Sequence, residues 1–269
     1  MTRSSPVEPE PGARGAEVDV ARLERLGAQA WPSATSDDIA GWRLCLDRGV
    51  TRRANTVLPL AWHPGQGLDA AIRAVETAFE ERGLPACFKI SAAARPRGLD
   101  HALARRFYHA GGASLVLTAP ASAVPVSTPG SHPIELDERP GRDWAAACWP
   151  GADAAAAARL AIVSRIPSPR AFATARAGDL AVGAGLAAVA GDWAVLCALH
   201  TRPDHRRLGV GRSLVAALAD WAVGRGARRL CLQVEADNRP ALRLYGAAGF
   251  CFAYAYHYRM RARPGSGSG

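Results

Sequence analysis

The stretch from Trp193 to Val234 constrains the fold most. It reads as a strand over 193–201, a basic loop punctuated by glycine (Arg206-Arg207-Leu208-Gly209-Val210-Gly211-Arg212), a helix over 211–223 and a strand over 228–234. The helix is amphipathic, with Leu214, Leu218, Trp221 and Ala222 on one face, and a strand, crossover helix and strand make a βαβ unit with parallel strands. Just upstream, strands over 170–176, 181–190 and 193–201 are separated only by Gly178-Asp179 and Gly191-Asp192. Those pairs build tight turns, so the three strands form an antiparallel meander. A sheet that begins as a meander and continues through a parallel crossover is mixed, and the fold class is α/β with a mixed (α+β) sheet.

The first half carries the same kinds of element. A helix is expected over 18–29, an extended hairpin over 41–60, an amphipathic helix over 68–82, a buried strand over 86–91, a helix over 99–110 and a strand over 114–118. Between 119 and 133 the chain turns to Pro, Ser and Thr without periodicity, which marks a connection. Two further helices, over 143–148 and 153–162, open the second half. The organisation expected is a disordered segment at 1–15, a first half at 16–120, a linker at 121–133, a second half at 134–263 and a flexible Gly/Ser tail at 264–269.

Composition removes several function classes. The chain is 49% hydrophobic and 21% charged, and it has no apolar run near the ~18 residues a membrane span needs. Its start lacks the apolar core of a secretory signal, so a cytoplasmic setting without membrane contact is expected. Cys45, Cys87, Cys148, Cys197, Cys231 and Cys251 are scattered through apolar stretches without metal spacing, so reduced core thiols are expected and no metal site. The net charge is +9, yet Lys89 is the only lysine and the arginines are spread along the whole chain. That distribution fits a modest field around a phosphate-bearing ligand better than a nucleic-acid patch.

Gly209 and Gly211 let the backbone turn tightly before a helix, whose N-terminus adds partial positive charge. With Arg206, Arg207 and Arg212 beside it, the loop reads as a pyrophosphate cradle. A glycine pair before a helix is equally compatible with a turn that serves only packing.

The flanks decide between these readings. The run Leu199-His-Thr-Arg-Pro-Asp-His-Arg-Arg-Leu-Gly-Val-Gly211 resembles the GNAT acetyltransferase motif, in which an Arg/Gln-x-x-Gly-x-Gly/Ala loop follows a strand. A second block, Asn238-Arg-Pro-Ala-Leu-Arg-Leu-Tyr245-Gly-Ala-Ala-Gly-Phe250, resembles the family's Asn-x-x-Ala-x-x-Leu-Tyr-x-x-x-Gly-Phe signature. Together they cover roughly residues 170–260. More loosely, Gly41-Trp42-Arg43, Thr51 through Leu60 and the ending Tyr254-Ala-Tyr-His-Tyr-Arg259 resemble bacterial GNAT proteins built of two GNAT-like halves, the first degenerate. Gly65-Gln66-Gly67 precedes a helix but lacks the strand and arginine of a phosphate loop, so a second cofactor site is not expected.

The resemblance implies an acetyl-CoA-dependent N-acetyltransferase acting on a primary amine, small molecule or peptide, by direct attack in a ternary complex. It places pantetheine beside Leu199, His200 and Thr201, where a backbone N–H polarises the carbonyl, and pyrophosphate on Arg206, Arg207, Leu208, Gly209, Val210, Gly211 and Arg212. Asn238 would bond the pantetheine arm or cap its own helix. Tyr245, two helical turns later, would meet the cofactor and act as general acid, its alternative being an aromatic that fills the core. The strand over 193–201 carries no carboxylate and Gln233 stands where some relatives are acidic, which leaves Glu235 and His200 as candidate bases. Trp42, Arg53 and Asn55, with Arg52, would line the acceptor side and hold a substrate carboxylate. Tyr254, Tyr256 and Tyr258 alternate on one face of the last strand, as pocket wall or as core. The missing strand glutamate also admits a non-catalytic acyl-CoA-binding or sensing protein of GNAT fold.

Overall fold

The computed structural model describes residues 18–65, 67–125, 132–151 and 153–261. The expected disordered start at 1–15, residues 126–131 of the expected linker and the tail at 264–269 lie outside them. In the first half, α1 (Val20–Gln29) starts where the Asp19 carboxylate accepts a hydrogen bond from the Arg22 backbone N–H at 2.9 Å. It is followed by β1 (Thr35–Ile39), β2 (Trp42–Leu46), β3 (Thr56–Leu58), α2 (Leu68–Glu80), β4 (Cys87–Ile90), α3 (Leu99–Arg105) and β5 (His109–Pro120). The helix expected over 99–110 stops at Arg105, because Phe107 takes a left-handed conformation (φ 63°) and His109 opens a twelve-residue strand. β1 is polar and almost wholly exposed; it exists because β2 offers it a backbone edge, which is why no hydrophobic alternation announces it.

The second half contains β6 (Ile134–Asp137), α4 (Arg142–Cys148), α5 (Ala154–Ser164), β7 (Arg170–Ala177), β8 (Leu180–Ala190), β9 (Trp193–Thr201), α6 (Val210–Gly224), β10 (Arg229–Glu235), α7 (Arg239–Ala247) and β11 (Cys251–Met260). The meander is antiparallel and the crossover through α6 makes β9 and β10 parallel. A short parallel contact between β3 and β4 follows α2 in the same way. The first half therefore runs three strands, a crossover helix, a parallel strand, a helix and a final strand, and the second repeats that order from β7 onward, after β6, α4 and α5.

The eleven strands of the described residues join in one sheet, ordered β1-β2-β3-β4-β11-β5-β10-β9-β8-β7-β6. The two final strands are exchanged: β5, from the first half, pairs with β10, and β11, from the second, pairs with β4. They also pair with each other, so the halves interlock at the centre of the sheet.

Packing on β8 explains two glycines. A Cβ at Gly183 would lie 2.6 Å from Val210 Cγ1, and one at Gly185 would lie 3.1 Å from Leu218 Cδ1. Only glycine lets α6 sit this close to the sheet. There Leu214 and Leu218 are fully buried, each stabilising the fold by roughly 1.5–3 kcal/mol. On the opposite face Trp144 of α4 is buried against Phe172, and its indole N–H donates to the Gly185 carbonyl at 2.8 Å. Five of the six cysteines are buried free thiols, but Cys251 is exposed at the start of β11, which corrects the expectation that all six are core. Among the described residues no helix is long and apolar enough to cross a membrane. No described group of His, Cys, Asp or Glu could hold a metal ion.

Candidate active site

The site begins with a fault in the sheet. β9 and β10 pair only from Trp193↔Arg229 to Leu196↔Leu232, although β9 continues to Thr201 and β10 to Glu235. On its other side β9 carries a bulge: the register with β8 jumps from Leu186↔Cys197 to Ala184↔His200, so Ala198 and Leu199 oppose Gly185 alone. Ala198 is left-handed there (φ 51°). A bulge leaves a residue outside the ladder and sharpens the local twist, which steers the end of β9 away from β10. A wedge opens between the two strands.

One cavity, of about 710 Å³, lies on the α6 side of the wedge. Its walls include Leu199, His200, Thr201, the loop from His205 to Arg212 apart from Leu208, Asn238 and Tyr245. Left-handed backbone at Arg207 (φ 66°) and Gly209 (φ 87°) turns loop N–H groups into a concavity ahead of the α6 N-terminus, a setting that attracts anions. Gly211 lines the cavity, and a Cβ there would come within 2.9 Å of Leu244 Cδ2. The nearby Asp204 carboxylate is engaged by Arg202 at 3.0 Å and His205 at 3.0 Å. Those contacts, Arg202 first, hold its carboxyl well below the usual range. Arg206, Arg207 and Arg212 have no carboxylate within 4 Å among the described residues. Three free guanidinium groups around a helix N-terminus fit a diphosphate. Leu208, assigned to the same cradle, is an exposed side chain that does not line the cavity.

A second cavity, of about 640 Å³, lies across the wedge and is mostly polar. The first half contributes Gly49 to Arg53; the second contributes Arg159, the 196–199 end of β9, Gln233 to Glu235, Tyr256 and Tyr258. Leu199, Asn238, Ala241 and Tyr245 line both cavities. The loop at 47–53 is held firmly. Asn55 Oδ1 accepts from the backbone N–H groups of Asp47 (2.8 Å) and Gly49 (3.1 Å), and its Nδ2 donates to the Thr51 carbonyl at 2.8 Å. Trp31 Nε1 donates to Thr51 Oγ1 at 3.0 Å, and Arg165 pairs with the buried Asp47 carboxylate.

The structure thus sorts the residues singled out from the sequence. Tyr245 stands at the junction, its ring edge-on to Phe250 and its hydroxyl without a hydrogen-bond partner among the described residues. Burial pushes its phenol up to about 12. Asn238 does cap α7, its Oδ1 accepting from the Ala241 N–H at 3.2 Å, while lining both cavities. His200 lines only the loop cavity, and burial, then Arg206, lowers its pKa. Glu235 lies at the exposed mouth of the second cavity, 3.8 Å from Arg52. Arg53 lines that cavity. Trp42 does not: it is buried in the first half against Trp62 and Phe88, donating its indole N–H to the Arg95 carbonyl. Asn55 is also not a wall residue, being occupied by the loop it clamps. Tyr256 and Tyr258 reach the cavity whereas Tyr254 is tied to Glu24. Arg159, on α5, was not singled out; nothing in an alanine-rich helix signals that its arginine faces the wedge.

A splayed strand pair, a bulge and an arginine-glycine loop capping the crossover helix define the GNAT class of acetyltransferase. Residues 18–261 match the family described as "Probable histone acetyltransferase Rv0428c C-terminal". The chain belongs to that family, within the GNAT N-acetyltransferases. It is 30% identical over 237 residues to the uncharacterized N-acetyltransferase YobR of Bacillus subtilis, covering 86% of this chain and 94% of that protein. In fold it is similar to a GCN5-related N-acetyltransferase from Kribbella flavida, with a TM-score of 0.72, 16% identity and coverage of 93% and 98%. It is also similar to a tandem GNAT protein from the clavulanic acid biosynthesis pathway, with a TM-score of 0.62, 15% identity and coverage of 91% and 89%.

Proposed function

We propose that this acetyltransferase moves an acetyl group from acetyl-CoA to a primary amine by direct attack in a ternary complex. The observation that carries this is the pair of cavities meeting at Leu199, Asn238, Ala241 and Tyr245. An anion-binding loop lies on one side of that junction and a polar chamber on the other. Residues 134–263 bind the cofactor in this reading, and residues 16–120 complete the acceptor wall. Acetyl-CoA supplies the activated acyl carbonyl.

The protein's own groups divide the remaining work. The 206–212 loop holds the phosphates, and the 199–201 segment, freed from β10, holds the pantetheine arm as an added strand would. An N–H turned out of the ladder at the Ala198–Leu199 bulge polarises the carbonyl. Glu235, on the acceptor side, takes the amine proton directly or through water. His200 is the weaker candidate for that step, because it faces the phosphate loop. Tyr245 keeps its proton throughout the physiological range and donates it toward the departing sulfur. Six free thiols fit the reducing cytoplasm as the setting.

Isothermal titration with acetyl-CoA tests the reading. Micromolar binding is expected for the natural chain and loss of it in Gly209→Asp/Gly211→Asp, which puts two negative charges on the loop. No binding by the natural chain, or equal binding by the variant, would remove the loop as the cofactor site.

A further inference from the structure

We propose that the acceptor is an amino-carboxylate, held through its carboxylate by Arg53 and Arg159 with its nitrogen at the Tyr245 junction. This rests on the second cavity being the acceptor site. That cavity brings three guanidinium groups, Arg52, Arg53 and Arg159, against one carboxylate, Glu235. Glu235 answers Arg52 at 3.8 Å. Among the described residues Arg53 and Arg159 have no carboxylate within 4 Å.

Arg53 is the more telling of the two. Its guanidinium carbon lies 4.3 Å from the Trp31 ring centroid, and its Nη1 donates to Cys197 Sγ at 3.8 Å. Trp31 covers one face of the charge and a thiol is a feeble acceptor. The Asn55 clamp and the Trp31 bond to Thr51 keep the loop from swinging this arginine outward. A partly desolvated cation that cannot leave calls for an anion, and its free edge suits a carboxylate in a bidentate pair. Arg159 approaches from α5, so the anion would be gripped from both halves of the chain.

The same charge pattern weighs against polycations. A lysine-rich peptide entering this cavity would meet fixed positive charge at the wall and Glu235 alone to offset it. Amines with a nearby carboxylate present the opposite pattern.

The test compares amino acids with the amines left when the carboxylate is removed: β-alanine against ethylamine, and the common α-amino acids against their decarboxylated forms. A lysine-rich peptide is added to the set. Release of free CoA is followed at saturating acetyl-CoA and equal free-base concentration, and binding of the same compounds is measured separately by calorimetry. At least one amino acid is expected to exceed its amine by ~100-fold or more in kcat/KM. Arg159→Ala and Arg53→Met should each raise that acceptor's KM at least tenfold and leave the Kd for acetyl-CoA unchanged; Arg159 lies on a half-exposed helix face, so its variant should fold normally. Amines or the peptide turning over as well as the amino acids, or a preference that survives both substitutions, would overturn the assignment while acetyl transfer stands. Amino-acid binding that Arg53→Met abolishes, in a chain that never releases CoA, would uphold the anion site and reject acetyl transfer.

Discussion

Lys89→Met offers the sharpest check on how the chamber floor is held. The Lys89 ammonium lies 2.6 Å from Glu24 Oε2, and the two side chains are 5% and 1% exposed. Its approach to that oxygen lacks hydrogen-bond alignment, so the contact is chiefly electrostatic. Glu24 Oε1 accepts a hydrogen bond from Tyr254 at 3.0 Å, and Lys89 sits 3.7 Å above the Tyr256 ring. Methionine keeps the unbranched stem and removes the charge, so the loss isolates a buried carboxylate rather than opening a large void. Breaking a buried pair in this way costs about 3–5 kcal/mol. At roughly 2 °C per kcal/mol for a chain of this size, the midpoint of thermal unfolding should fall by about 6–10 °C. Urea unfolding followed by circular dichroism should give the same loss with an unchanged slope. Glu24→Gln/Lys89→Met removes the stranded charge and should recover much of it. A single variant costing under about 1 kcal/mol, or a double variant no better than the single, would refute the account.

Tyr245→Phe keeps the packing and removes the proton; kcat should fall by about 10²–10⁴-fold with little change in acetyl-CoA affinity, measured by steady-state kinetics and calorimetry. Since burial lifts this phenol to about 12, the rate profile of the natural enzyme should show no falling limb from Tyr245 at any pH below that value. Gly209→Ala should cost about 1–2 kcal/mol in denaturant unfolding purely through its left-handed backbone (φ 87°), since an added Cβ meets no atom within 4 Å. Arg259 foremost, then His257, holds the Asp100 carboxyl below its ordinary value, so its stabilisation exists above about pH 4 and disappears as pH falls through the lowered pKa. Asp100→Asn should therefore be less stable than the natural chain at neutral pH, by under about 1 kcal/mol for this part-exposed group, and equal to it in acid. Brief alkylation of the native protein, read by mass spectrometry, should label Cys251 and spare the five buried thiols.

What the sequence disclosed was local. The loop at 206–212 and the block at 238–250 depend on residues close together in the chain, and glycine, arginine and asparagine have few other reasons to recur at those spacings. Strands bounded by Gly-Asp pairs were legible for the same reason. The wall of the second cavity was legible only in part: Arg53 and Tyr256 stood out, but Arg159 joins them only through contacts between segments far apart in the chain. Trp42 shows the converse error. A tryptophan beside an arginine-rich hairpin looks like a ligand platform, yet alternation along β2 turns it inward, where it packs on Phe88. Asn55 is a conspicuous polar residue in that hairpin, but its polar atoms serve the loop.

The exchanged strands bear on how the protein must be made. β11 is the last described strand to leave the ribosome, yet it takes a place at the middle of the sheet between β4 and β5. Until it docks, both neighbours present bare backbone edges, the features that invite pairing with other nascent chains. Tyr256 and Tyr258 would also be missing from the chamber, and Gln233 would lack the Tyr256 hydroxyl that donates to it at 2.9 Å. A ribosome that stalls before residue 251 therefore releases no half-active enzyme, only an open sheet. The first half cannot be shed by evolution without taking β5 from beside β10.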